Sequence, residues 1–184
     1  MEIAVVLAIF GILMPLLYGI FSNQFKYMAF QSDFADMDQK MKLALDVASR
    51  DIRVAGSDFG DNALFRPGLT ATQDALTVTD SQSINVRYDP DGDGTIDSNK
   101  EDILIRLSGS RVMRNGITLA DNVTSFYFTF VDQFGAAIDL ATAQANPEFV
   151  TLINIFIETQ SNTTDIHGNT VTRAMMTSAA LLNR

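Results

Sequence analysis

From Ile3 to Phe21 the chain runs for nineteen residues without a single charged side chain, and its only breaks are Gly11, Pro15 and Gly19. At the rise of an α-helix this is roughly 28 Å, about the hydrocarbon thickness of a bilayer. No soluble core built from a 184-residue chain readily swallows such a rod, because a helix that is apolar all round needs cover on every side. One acid, Glu2, stands at its start. The run does not read as a cleaved secretory signal, since it has no basic opening and no small-residue cleavage site follows Phe21.

No turn signal separates this run from the next segment, which is charged and helix-prone. Phe25, Met28, Phe34, Met37, Met41, Leu45 and Ile52 recur there at mostly three- and four-residue steps, with Lys26, Asp36, Lys40, Lys42, Asp46 and Arg50 largely on other sides. The pattern predicts one long helix over 1–56 that changes character partway: apolar throughout over 1–21 and amphipathic over 22–56. Gly56 is the expected C-terminal stop. Gly11 and Pro15 weaken the first half, because proline lacks the amide donor and crowds the preceding turn. The expectation is a kink or an unwound turn there.

Residues 57–184 suffice for one β-rich globular head. Ser57–Thr70 reads as loop. Short β-type runs follow at Leu76–Thr79, Ile84–Tyr88 and Ile103–Leu107. Arg111–Arg114 and Ile117–Ala120 flank Asn115-Gly116, a strong two-residue hairpin signal. Val123–Val131 alternates, with Phe126, Phe128 and Phe130 on one face and Ser125, Tyr127 and Thr129 on the other. Phe134–Pro147 reads as a loop rich in small residues. Val150–Thr159 and Val171–Leu182 read as long strands around the polar stretch Gln160–Asn169. Hairpin-spaced strands after one helix predict an α+β fold, with an antiparallel sheet packed on the amphipathic half.

Composition narrows the function classes. The net charge of -9 and pI near 4.4, with no basic cluster, argue against a nucleic-acid partner. Without cysteine there is no disulfide framework, thiolate nucleophile or Cys zinc site. His167, the only histidine, falls in a polar loop with no partners placed for a triad, and no phosphate-binding loop, HExxH or GxSxG occurs. The sequence offers no catalytic constellation. Aromatics from Phe10 to Phe34 crowd the helix, and packing is the simplest account of them.

One loop carries a ligand-like pattern. Asp89-Pro90-Asp91-Gly92-Asp93-Gly94-Thr95-Ile96-Asp97 matches the first nine positions of an EF-hand-type calcium loop. The carboxylates of Asp89, Asp91, Asp93 and Asp97 and the Thr95 carbonyl are the oxygen donors, and Gly94 makes the sharp turn. Lys100 stands where the twelfth-position acid belongs, and Glu101 is the nearest replacement. The competing reading is an acidic turn, for which Asp and Gly are ordinary residues. Four carboxylates in nine residues repel one another without a cation, which favours calcium in a structural role.

The order of parts resembles the type IV pilin superfamily. Glu2-Ile3-Ala4-Val5-Val6-Leu7-Ala8-Ile9 is similar to the apolar core that opens those chains, with Glu2 at the position of their glutamate, although only Met1 precedes it here where the family has three or four residues. Ala48-Ser49-Arg50-Asp51-Ile52-Arg53-Val54-Ala55-Gly56 resembles the segment ending the long helix in PilW-type minor pilins and J-type pseudopilins. Val86–Gly94, Arg114-Asn115-Gly116 and Leu119–Val123 are similar to the same groups. The resemblance implies a structural subunit of a pilus or type II secretion pseudopilus. Such a subunit rests in the inner membrane with a periplasmic head, then polymerises with other pilin subunits through the helix. It also implies that Glu2 docks against a neighbour, where an interfacial Glu held by the helix dipole is the alternative. The rival reading is a single-span membrane-anchored binding ectodomain that never polymerises.

Overall fold

The computed structural model describes residues 2–56, 75–89, 96, 100–165 and 167–181, without the side chains of residues 2, 4, 5 and 8. A single helix, α1 (Glu2–Val54), runs through both predicted halves. It ends as the sequence predicts. Gly56 takes the left-handed conformation at φ 73°, which a Cβ would penalise. Its amide then donates to the Arg87 carbonyl at 2.9 Å, fixing the helix end to the head. The unwound turn expected at Gly11–Pro15 does not occur, and the helix is continuous through Pro15. Proline's fixed φ is itself helical, so the loss is one backbone bond, the one the Gly11 carbonyl would have accepted.

The head is α+β with two antiparallel sheets rather than the single sheet expected. Strands β1 (Leu76–Asp80), β2 (Ser83–Arg87), β3 (Asp102–Ser108), β4 (Arg111–Arg114) and β5 (Ile117–Ala120) form a meander in that order. Strands β6 (Val123–Val131), β7 (Ala137–Ile138), β8 (Leu152–Thr164) and β9 (Thr170–Ala180) form the second sheet, in the order β7-β6-β8-β9. The chain changes sheet at Asn122, whose φ of 53° is a left-handed corner that asparagine tolerates. The hairpin at Asn115-Gly116 forms as read, with φ of 46° and 82°, the double positive values of the tight hairpin turn. Asn115 also extends the ladder with its side chain: Oδ1 accepts from the Leu104 amide at 2.7 Å, and Nδ2 donates to the Asp102 carbonyl at 3.0 Å.

One core joins the helix and both sheets. Met37, Met41, Ala44, Leu45, Ala48 and Ile52 of α1 are buried in a cluster with Ile153, Ile155 and Ile157 of β8, the three predicted phenylalanines of β6, and Ile84, Val86, Ile103 and Ile105 of the first sheet. Phe126 and Phe128 meet edge to face at 5.0 Å between centroids, a favoured ring geometry. The helical stripe is shorter than its sequence pattern, for Phe25 and Met28 are exposed and cover begins at Phe34. Two further expectations change. Phe134–Pro147 holds β7 and a short helix, α2 (Leu140–Ala145), whose first turn is capped by Asp139 accepting from the Thr142 amide at 2.6 Å. A 3-10 turn, Pro147–Phe149, follows. The polar stretch after Thr159 continues β8 to Thr164.

Candidate functional site

The feature that separates this molecule from a closed globule is the first half of α1. Apart from half-buried Ser22, every side chain described from Ile3 to Ala29 is exposed. Large apolar groups are among the barest, Leu7 at 66% and Tyr18 at 77%. A helix apolar on all sides has no face to turn to water, so it demands lipid or other helices around it. Gly11 and Gly19 give room for the second: a Cβ at either would meet nothing within 4 Å inside this chain. Pro15 leaves the Gly11 carbonyl without its helical donor, so the two weakening residues act on one turn. Among residues whose side chains are described, no helix is long and apolar enough to cross a membrane. Of the side chains outside that set at the chain's start, only Glu2 is polar by sequence. The docking role expected for Glu2 therefore lies outside the described side chains.

The second half of the helix is held by a row of polar contacts flanking its buried stripe. Nearest the bare half, Asp33 accepts from the Thr163 amide at 2.9 Å and its hydroxyl at 3.0 Å, gripping the end of β8. Partial burial pushes the Asp33 carboxyl upward, but these bonds and those from Asn162 outweigh it and hold the group below the usual range. Next, Arg173 on β9 lies 3.0 Å from Asp38 and 5.0 Å over the Phe34 ring. Its N–H is not directed at that oxygen, which has no hydrogen-bond partner among the described residues, so this is a charge contact. Lys40 bridges Asp36 at 2.8 Å and Asp121 at 3.0 Å, and bonding to both carboxylates raises its pKa.

The row ends at Asp51, a buried acid gripped by Arg114 through two bonds of 2.6 and 3.2 Å. The Asp51 bonds raise the Arg114 pKa against the opposing effect of burial. The sequence marks Asp51 only as part of the Ala48–Gly56 segment that carries the resemblance, and the structure pairs it with Arg114. Sequence reasoning missed the contacts of Asp33 and Lys40, whose only signal is a polar residue beside the apolar stripe, and those of Arg173, a lone charge in strand β9. Two segments that carry the resemblance, one at the helix end and one at the Asn-Gly hairpin, thus meet in this ion pair.

The calcium expectation is described only at the loop's two ends. Asp89 and Glu101 are both buried, and both engage other groups. The Tyr88 amide donates to the Glu101 carbonyl at 3.1 Å, and Arg87 pairs with Asp102 at 3.3 Å, so the strands close the loop beneath it. Asp91, Asp93, Thr95 and Asp97 lie outside the described residues. Among the described residues, no group of three or more His, Asp or Glu is placed to hold a metal. His167 sits in the β8–β9 turn with its amide donating to Asp165.

Both edges of the first sheet and one edge of the second are managed. Gln144 of α2 donates its side-chain amide to the Thr79 carbonyl of edge strand β1, α1 lies along β5, and β7 is two residues long. The head is therefore largely closed, while the first half of its helix is bare. No family model matches this chain, and no curated protein does so at a significant level.

Proposed function

We propose that this chain is a structural subunit of a type IV pilus or type II secretion pseudopilus, most like the PilW-type minor subunits. The observation that carries the reading is the contrast within one continuous helix: a half clamped into the head, and a half apolar on every side with nothing among the described residues covering it. Before assembly the bare half rests in the inner membrane with the head on the periplasmic side; after assembly it packs among the helices of other subunits. Glu2 is the docking charge, because an ionised carboxylate entering an apolar bundle is costly unless a cation meets it. Gly11 and Gly19 admit close helix approach. The Asp89–Glu101 loop holds a structural calcium. The protein is not an enzyme in this reading.

A single-span anchor for a binding ectodomain would use the same apolar stretch, and Glu2→Ala separates the two. A filament subunit loses assembly while its head stays folded; an anchor is unaffected. Calcium is tested apart from this, by melting the full chain in detergent with and without chelator. An unchanged midpoint removes the ion from the account and leaves the filament reading intact.

A further inference from the structure

At the end of the head far from the bare helix, the turn after β6, β7, α2 and the 3-10 turn border an open cavity of about 460 Å³ lined by Asp132, Phe134, Ile138, Thr142, Glu148 and Phe149, with Gln133 also on its wall. Asp33 grips β8 near Thr163, whereas the cavity lies beside the other end of that strand. Thirteen residues of strand separate the two ends by roughly 40 Å.

Three observations set this cavity apart. Phe134 and Phe149 are 83% and 53% exposed, although Phe126, Phe128 and Phe130 of β6 are buried, and both open rings line this one space. Glu148 has one carboxylate oxygen, Oε2, sealed from water and without a hydrogen-bond partner among the described residues. The rest of its half-buried side chain lines the cavity, and no Lys or Arg among the described residues pairs with it. Asp132 adds a second negative charge, its Oδ1 fixed by the Phe134 and Ala136 amides at 2.8 Å each. Those two bonds also hold the turn that presents Phe134. Aromatic faces attract cations by their quadrupole, and carboxylates do so by charge.

We infer that this cavity binds an alkyl cation, an ammonium or guanidinium group on an apolar stem. The ring faces and Ile138 receive the stem and the cation's flank, while Glu148 and Asp132 supply the counter-charge. Nothing in this depends on assembly, so the site stands or falls separately from the filament reading.

The test is calorimetric titration of the full chain in neutral detergent with n-butylammonium, with a blocked Gly-Lys-Gly peptide, and with pentanoate as the anion of matching size. Saturable binding of the cations, none of pentanoate, and a loss of about tenfold in Glu148→Gln is the expected result. Phe134→Ala and Phe149→Ala each weaken binding about threefold. Tighter binding of the peptide assigns the site to a partner's lysine; equal binding assigns it to a free amine. No saturable binding of either cation, equal binding of pentanoate, or unchanged affinity in Glu148→Gln would overturn the proposal. Should that variant fail to fold, unchanged affinity in Phe134→Ala, a surface position, does the same.

Discussion

The two halves of α1 share a backbone and much of their side-chain chemistry, yet they live in opposite environments. Residues 37–55 present an apolar stripe flanked by Asp38, Lys40 and Asp51, and the head covers that stripe until Met41, Ala48 and Ile52 lose all exposure. Residues 3–21 carry no such division. Sheets have one face to offer, so only a helix with one apolar face can be satisfied by the chain's own head. The lesson is that the periodicity of apolar residues, more than their number, decides whether a helix is completed within the molecule or outside it.

The sharpest way to break this comparison is to exchange the demands of the two halves. Leu13→Glu places a charge in the middle of the bare half, where insertion among lipids or helices costs about 2.5–3.5 kcal/mol. Filament incorporation, read from the sheared-fibre fraction, should be lost, while the melting midpoint of the full chain in detergent stays unchanged. Ile52→Ala, at a fully buried position, should do the reverse on folding, costing about 2–5 kcal/mol through lost transfer energy and a cavity. Equal effects of both changes on melting would show that the halves are not distinct.

Arg114→Ala sharpens the comparison at the clamped end. It strands Asp51 in its buried position, and losing hydrogen bonds to a charged group costs about 1.5–3 kcal/mol. Restoring neutrality with Asp51→Asn in the same chain should recover part of the loss, which a double-mutant cycle measures. Asn115→Ala comes next, at about 1–2 kcal/mol, because alanine supplies neither the left-handed conformation nor the two side-chain bonds to β3.

The smallest effect is on pH dependence. The folded Asp33 carboxyl lies below its unfolded value, so the unfolded chain binds more protons in acid. Its contribution is fully present above the ordinary carboxylate value of about 4 and is lost as pH falls through the lowered one. Asp33→Asn should flatten that part of the acid limb. Lys40, raised by Asp36 and Asp121, contributes at the other end; its share is present below about pH 10 and lost as pH climbs through the raised value.

Features that are local in the chain were legible in its letters. The long helix, the Gly56 stop, the Asn115-Gly116 turn and the alternating phenylalanines of β6 each depend on residues within a few positions of one another. What could not be read were pairings at long range. The split into two sheets turns on Asn122, one residue at a left-handed corner, with no composition change to mark it. Asp33 meets Thr163 and Asp51 meets Arg114 only once the register of β8 and the length of α1 are set. Glu148 and Phe149 line the same cavity as Phe134 only because a 3-10 turn closes the stretch of small residues that precedes them. The unwound turn expected at Gly11–Pro15 is absent for a different reason: a single lost hydrogen bond does not unwind a helix whose next turns remain intact.

The most direct test of the central claim is immunogold electron microscopy of sheared surface filaments, with antibody raised against the head. Label along fibres or at their tips is the predicted result, and dense label would make this a principal subunit where sparse or terminal label would make it a minor one. Absence of label from every fibre, with all of the protein in the membrane fraction, would contradict the account and leave the bare helix as an anchor.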